Sequence, residues 1–286
     1  MINTRLMAAV VLCWSTCCGT AAETPPRAAA AADQKPSPPA AQLGAPEDMA
    51  FKAELDGSTQ RYVRMFPVPF DPNKPCDVLI ALHGHGSDRW QYVKADRGEC
   101  KAARDFAAAH GMIYISPDYR ASTSWMGPAA EADMVQLIAL LRKQHKVRCV
   151  FLTGGSMGGT SVLIFAALHP DLVQGVSSVN GTANMLEYKS FQDAIAASYG
   201  GDKKQKPEQY RMRSPELVPE KLTMRVAFAV GGKDTLVPPD SVRRLAGRLQ
   251  TLNPKGVLLL DNKDGGHSTS YEDTWKTLEF LLGQWP

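Results

Sequence analysis

Charge of one sign is what this sequence has little of. Its 32 Lys and Arg nearly cancel 29 Asp and Glu, and a net +3 over 286 residues gives no case for a nucleic-acid partner. Cysteine is scarce as well, with six residues at positions 13, 17, 18, 76, 100 and 149. The first three lie in a leader-like stretch, which leaves Cys76, Cys100 and Cys149, an odd number that cannot close a disulfide framework. Cys149 falls in an apolar run and reads as a buried, inert thiol, whereas a pairing of Cys76 in an oxidising compartment stays open. Beyond residue 22 no apolar run is long enough for a membrane helix, and no internal repeat is visible. The length suits one sizeable α/β domain or two small ones.

What is present begins with an export pattern over residues 1–22. Arg5 is a sparse positive region, Leu6 to Cys13 an apolar core too short to span a bilayer, and Gly19-Thr20-Ala21-Ala22 a small-residue cleavage region. A secreted or periplasmic location follows. A lipoprotein signal ranks second, because none of Cys13, Cys17 and Cys18 has a leucine three positions before it with small residues between. Residues 23–48 are rich in Ala and Pro with almost no large apolar side chain, so they are expected to form an extended linker. The folded domain is then expected over residues 49–286, from near Met49.

Chemistry concentrates in Cys149-Val150-Phe151-Leu152-Thr153-Gly154-Gly155-Ser156-Met157-Gly158-Gly159-Thr160. A β-branched, apolar run enters a glycine-rich turn with one serine at its apex, then continues into an apolar helix-like stretch to His169. Gly154-Gly155-Ser156-Met157-Gly158 fits the G-x-S-x-G nucleophile elbow in its required strand–turn–helix setting. A strained serine presents its hydroxyl, and the flanking glycines let strand and helix approach. A turn that merely packs is the competing reading of the pentapeptide alone.

Around it the apolar periodicity alternates. Phe51–Leu55 and Gln60–Phe66 flank Asp56-Gly57-Ser58 as a hairpin. Asp77–Leu82, Met112–Ser116, Val147–Thr153, Val173–Val179, Arg225–Val230 and Val257–Leu260 read as strands buried on both faces. Helical patterns run near Cys100–His110, Glu131–Gln144, Met157–His169, Ser241–Leu252 and Tyr271–Leu282. This alternation predicts a mostly parallel, twisted sheet with helices on both faces and an antiparallel edge from the hairpin.

With these motifs at strand ends, the chain resembles the α/β-hydrolase superfamily from about Phe51 onward. It is most similar to prolyl-oligopeptidase catalytic domains and to secreted feruloyl-esterase and polyhydroxybutyrate-depolymerase-like esterases. The resemblance implies a Ser-His-Asp triad in the order Ser156, Asp234, His267. Asp234 stands in Val230-Gly231-Gly232-Lys233-Asp234-Thr235-Leu236-Val237-Pro238, like the family's strand-Gly-x-x-Asp segment, although it could instead cap the following helix. His267 lies in Asp264-Gly265-Gly266-His267-Ser268 and would be the base. Asp261 and Asp264 are nearer in sequence but are held only as alternatives for the acid. His110, His145 and His169 end helical patterns and read as structural.

The loop Leu82-His83-Gly84-His85-Gly86-Ser87 resembles the family's oxyanion loop. The backbone N–H groups of His85, with Gly86 next, and of Met157 are the expected oxyanion donors. A metal site on His83 and His85 is rejected for want of a third ligand at a usable spacing, so neither metal nor cofactor is expected. Trp125, after the fourth strand, is either an exposed stacking platform for substrate or core filling, and Asn180, after the sixth strand, is a candidate at the rim. The basic cluster Lys203, Lys204, Lys206, Arg211 and Arg213 reads as a solvated loop in a segment too short for a large cap.

Three functions compete. A carboxylesterase acting on small-molecule or polysaccharide esters leads. A prolyl-oligopeptidase-like peptidase follows, weakened because only the Ala/Pro linker precedes the domain and no acidic pair for a substrate amino terminus is evident. A binding module on an inactive hydrolase fold comes last, because all three triad candidates are present. Oligomeric state is not legible.

Overall fold

The computed structural model describes residues 41–283. The leader-like stretch and most of the expected linker therefore lie outside the described residues. In chain order the strands are β1 (Gln42–Leu43), β2 (Glu47–Lys52), β3 (Thr59–Met65), β4 (Pro67–Val68), β5 (Cys76–Leu82), β6 (Ile113–Pro117), β7 (Val147–Gly155), β8 (Gly175–Val179), β9 (Arg225–Gly231) and β10 (Val257–Asn262). The helices are α1 (Gln91–Lys94), α2 (Gly98–Ala109), α3 (Pro128–Gln144), α4 (Met157–Leu168), α5 (Gln192–Tyr199), α6 (Pro207–Met212), α7 (Asp240–Leu252) and α8 (Tyr271–Leu281). None is long and apolar enough to cross a membrane.

The main sheet has the order β10-β9-β8-β7-β5-β6-β3-β2. It is parallel from β10 to β6, and β3 and β2 close one edge antiparallel. The period of two in each strand sorts side chains between two cores. Val78, Ile80 and Leu82 of β5 face the side packed by α3, α4 and α7, while Leu79 and Ala81 face α2 and α8. Helix α4, buried on nearly every face, starts directly at the end of β7. Cys76, Cys100 and Cys149 are unpaired thiols, and burial raises the pKa of each; Cys149, expected to be buried, is only half-buried.

Two expectations need correction. Among the described residues ordered pairing starts ahead of Met49: β1 pairs with β4, Gly44 N–H donates to Phe66 O, and Leu43 packs on the α2 side. Low apolar content limits core formation, but it does not prevent a short backbone ribbon from pairing at an edge. The hairpin's first strand is Glu47–Lys52, not Phe51–Leu55. Ala53 instead begins the reversal, with Gly57 N–H donating to Ala53 O and Asp56 Oδ1 accepting from Ser58. Arg64 to Glu47 and Arg89 to Asp48 then hold the strand in register.

The turn is tied to the rest by Arg120. Its guanidinium reaches Asp56 at 2.7 Å and donates to Asp133 Oδ1 of α3 at 2.8 Å, while its Nε lies 2.7 Å from Asp133 Oδ2, off the hydrogen-bond axis. Burial pushes the Asp133 pKa up to about 6, against the opposing pull of Arg120. A carboxyl whose folded pKa is raised binds protons more tightly folded than unfolded, so its contribution to stability falls as pH rises between about 4 and 6. Arg120→Met leaves that charge unpaired. We expect thermal denaturation to show a loss of about 3–5 kcal/mol at pH 8, shrinking toward pH 5 as Asp133 takes up a proton. A loss independent of pH would contradict this account.

Candidate active site

Ser156 joins β7 to α4 with φ 58° and ψ −119°, a left-handed conformation that few side chains adopt. Its N–H donates to Val179 O of β8 at 2.9 Å. Glycine on either side is a matter of space: a Cβ on Gly158 would lie 2.0 Å from Leu82 O, and one on Gly154 would lie 2.6 Å from Gly158 C. The strand and helix backbones touch, and the serine hydroxyl projects from their junction.

Asp234 follows β9 on the Gly231-Gly232 turn and is 5% exposed. Its Oδ1 accepts from the backbone N–H groups of Leu236 at 3.0 Å and Val237 at 2.9 Å, so the carboxylate is oriented before any histidine arrives. Its Oδ2 lies 2.6 Å from Nδ1 of His267, and Nε2 of the same ring lies 2.9 Å from Ser156 Oγ. A carboxylate can only accept here, so Nδ1 carries the proton and Nε2 accepts from the serine hydroxyl. Such a relay can draw a proton from the hydroxyl as it attacks an electrophile.

The rival acids are engaged elsewhere. Asp261 is held by Nε and Nη2 of Arg243 and by Lys263, which lowers its pKa, and Asp264 is exposed and pairs with Lys233. Asp234 does not cap the following helix, since α7 starts at Asp240 after Pro239 with no side-chain cap bond; Oδ1 closes the turn through Leu236 and Val237 while Oδ2 meets His267. His169 bonds Glu131, His145 packs on Phe66 and Phe70, and His110 packs on Phe106.

The loop after β5 lies against the elbow. Gly84 N–H donates to Gln91 Oε1 at 2.7 Å, and Tyr119 Oη donates to His83 O at 2.6 Å. Gly86 N–H is spent on Ser122 O, which removes it as an oxyanion donor. Among the described residues the N–H groups of His85 and Met157 have no such acceptor.

Three expectations for the rim change. Trp125 is fully buried, so it is not an exposed platform; its Nε1–H donates to His85 Nδ1 at 3.1 Å. Asn180, 5% exposed, is not free for substrate: its Nδ2 donates to Thr269 Oγ1 and its Oδ1 accepts from Gly231 N–H. It thereby ties the acid turn to the histidine loop. The basic cluster is not all solvated. Arg213, 1% exposed, donates to Met126 O and pairs with Glu131, and Lys203 donates to Leu186 O and Tyr188 O. Gln91, Tyr119 and Phe191, whose ring packs against His85 at 4.2 Å between centroids, carried no sequence signal, because each acts through a partner outside any local helix or strand period.

Asp234→Asn is expected to lower kcat by up to roughly four orders of magnitude, because an amide favours the wrong imidazole tautomer. Asp261→Asn and Asp264→Asn should cost tenfold or so at most. Kinetics of all three with circular dichroism on each sample check this; a normal Asp234→Asn rate would remove the acid assignment.

The fold has counterparts among solved structures. Fluorophosphonate-binding serine hydrolase F of Staphylococcus aureus superposes with a TM-score of 0.64 at 17% identity, covering 86% of this chain and 100% of that one. Pyrococcus furiosus esterase Pf2001 gives 0.61 at 17% identity, covering 84% and 93%. The acylaminoacyl peptidase of Pyrococcus horikoshii gives 0.62 at 17% identity over 85% of this chain, which spans only 41% of that longer protein. These likenesses show the α/β-hydrolase fold. No curated protein is similar enough to match. Residues 100–282, well over half of the chain and holding the elbow, the acid turn and the histidine loop, match the prolyl oligopeptidase family, and the chain belongs to that family of serine hydrolases.

Proposed function

We propose that this chain is an exported carboxylesterase that cleaves acyl esters through an acyl-enzyme on Ser156. The observation that carries the reading is the single ring of His267 bonded to both Asp234 and Ser156. His267 takes the serine proton as Ser156 Oγ attacks the ester carbonyl, and returns it to the departing alcohol. Asp234 holds the tautomer and stabilises the imidazolium. The backbone N–H groups of His85 and Met157 receive the oxyanion, helped by the N-terminal end of α4. Water then repeats the sequence on the acyl-enzyme.

Ester over amide is supported by the likeness to esterase Pf2001, which extends over 93% of that protein. Membership of the prolyl oligopeptidase family favours the second reading, a peptidase. Export rests on Arg5, the Leu6–Cys13 core and the small residues to Ala22. Amino-terminal sequencing of the protein recovered outside the cytoplasm should begin beyond residue 22 and would contradict export if Met1 were retained.

The deciding experiment offers one purified sample nitrophenyl esters of short and long acids, acetylated sugars, methyl ferulate and prolyl amides. Turnover of esters is expected, and Ser156→Ala should reduce it roughly a millionfold with the fold intact. Turnover of amides alone would remove the esterase reading, and undiminished activity in Ser156→Ala would remove the nucleophile.

A further inference from the structure

In Gly84-His85-Gly86 the donor residue is flanked by two glycines, and Gly86 has φ 78°. Glycines constrain a peptide plane little. Gly84 O, in the same plane as the His85 N–H, accepts from Ser87 N–H at 3.2 Å and lies 2.8 Å from His83 Nδ1. The His85 side chain is the handle by which packing aims that plane from its other end. That handle is occupied. The Trp125 indole donates to Nδ1 at 3.1 Å, and the Phe191 ring packs against the imidazole, tilted by 37° with centroids 4.2 Å apart. An Nδ1 that accepts requires a neutral ring with its proton on Nε2, and burial lowers the pKa of His85 in that direction.

Trp125 is itself held with unusual firmness. Trp125 and Met126 have φ 45° and 52°, left-handed values that are strained for side-chain-bearing residues and persist only where the surroundings over-determine them. Tyr199 Oη donates to Trp125 O at 3.0 Å, Arg213 Nε to Met126 O at 2.7 Å, and Ser198 Oγ to Ser124 O. Three side chains from the segment after β8 thus grip three successive carbonyls, and the indole that results is fully buried and aimed at the oxyanion loop.

We propose that Trp125 is a positioning residue for the oxyanion hole: by holding the His85 ring, its indole N–H sets the direction of the His85 backbone N–H. This rests on the serine-hydrolase reading above, and deepens it by assigning a role to a buried tryptophan that never touches substrate.

Trp125→Phe keeps most of the ring and removes the donor. Loss of a whole oxyanion donor costs about 10²–10³ in kcat, so a misaimed one should cost about 10–100-fold with KM within about twofold. Phosphonylation of Ser156 by a fluorophosphonate should slow by a similar factor, and phenylboronic acid, whose adduct mimics the oxyanion, should bind more weakly. His85→Ala should match Trp125→Phe, and the double variant should be no worse than either. His85→Asn, whose Oδ1 can accept from the indole, should recover most of the loss seen in His85→Ala. Should Trp125→Phe fail to fold, as judged by circular dichroism, His85→Ala against His85→Asn carries the same test. A phosphonylation rate in Trp125→Phe within twofold of the parent, losses that multiply in the double variant, or no recovery in His85→Asn would each overturn the proposal. Failure of the parent to be labelled at all would instead overturn the hydrolase reading, and the role of Trp125 with it.

Discussion

The structure depends on one contact between backbones. Helix α4 begins so close to the sheet that a Cβ on Gly158 would lie 2.0 Å from Leu82 O of β5, and one on Gly159 2.6 Å from Val179 O of β8. Any side chain there would push the helix away. Because none exists, the chain must turn within a single residue, and Ser156 takes the left-handed conformation that exposes its hydroxyl. The strands that crowd the elbow then decide which loops can reach it. The end of β5 brings the His85 loop, β8 brings Asn180, β9 brings Asp234, and β10 brings His267. Parallel strands deliver all of these at one edge.

Loops at that edge need holding, because they lack the ladders that order the strands. Buried side chains supply the hold. Asn180 bridges the turn before Asp234 and the loop after His267, so the two members of the relay share one anchor. Gln91 and Tyr119 fasten the two sides of the loop after β5. Arg213 and Lys203 fasten the connection after β8 over the site. Each bond is individually modest, about 1 kcal/mol net and more for the charged donors. Breaking one leaves a buried polar group without a partner, which costs more than the bond contributed. Order at the site therefore comes from completeness of the network, and motion there requires several bonds to open together.

The linear sequence by itself determined what local physics governs. The strand and helix periods are properties of neighbouring residues. They gave the parallel sheet and its five longer helices within a few residues at each end, while the shorter α1, α5 and α6 carried no period long enough to read. The glycines around Ser156 declared the elbow, because only a turn with no room for side chains needs them. Ser156, Asp234 and His267 stood out by their strand-end contexts, and in the folded chain they are bonded in series. Tertiary structure alone decided everything that depends on which surfaces meet. Trp125 could have faced solvent or core, and the grip of Tyr199, Arg213 and Ser198 buried it. Asn180 and Gly86 had free hydrogen-bonding groups in sequence terms, and Thr269, Gly231 and Ser122 engage them. Arg213 looked like one charge in a solvated cluster until Glu131, 82 residues away, drew it inside. Pairings between residues so distant in sequence leave no periodicity behind, because the fold, not the neighbouring chain, supplies the partner.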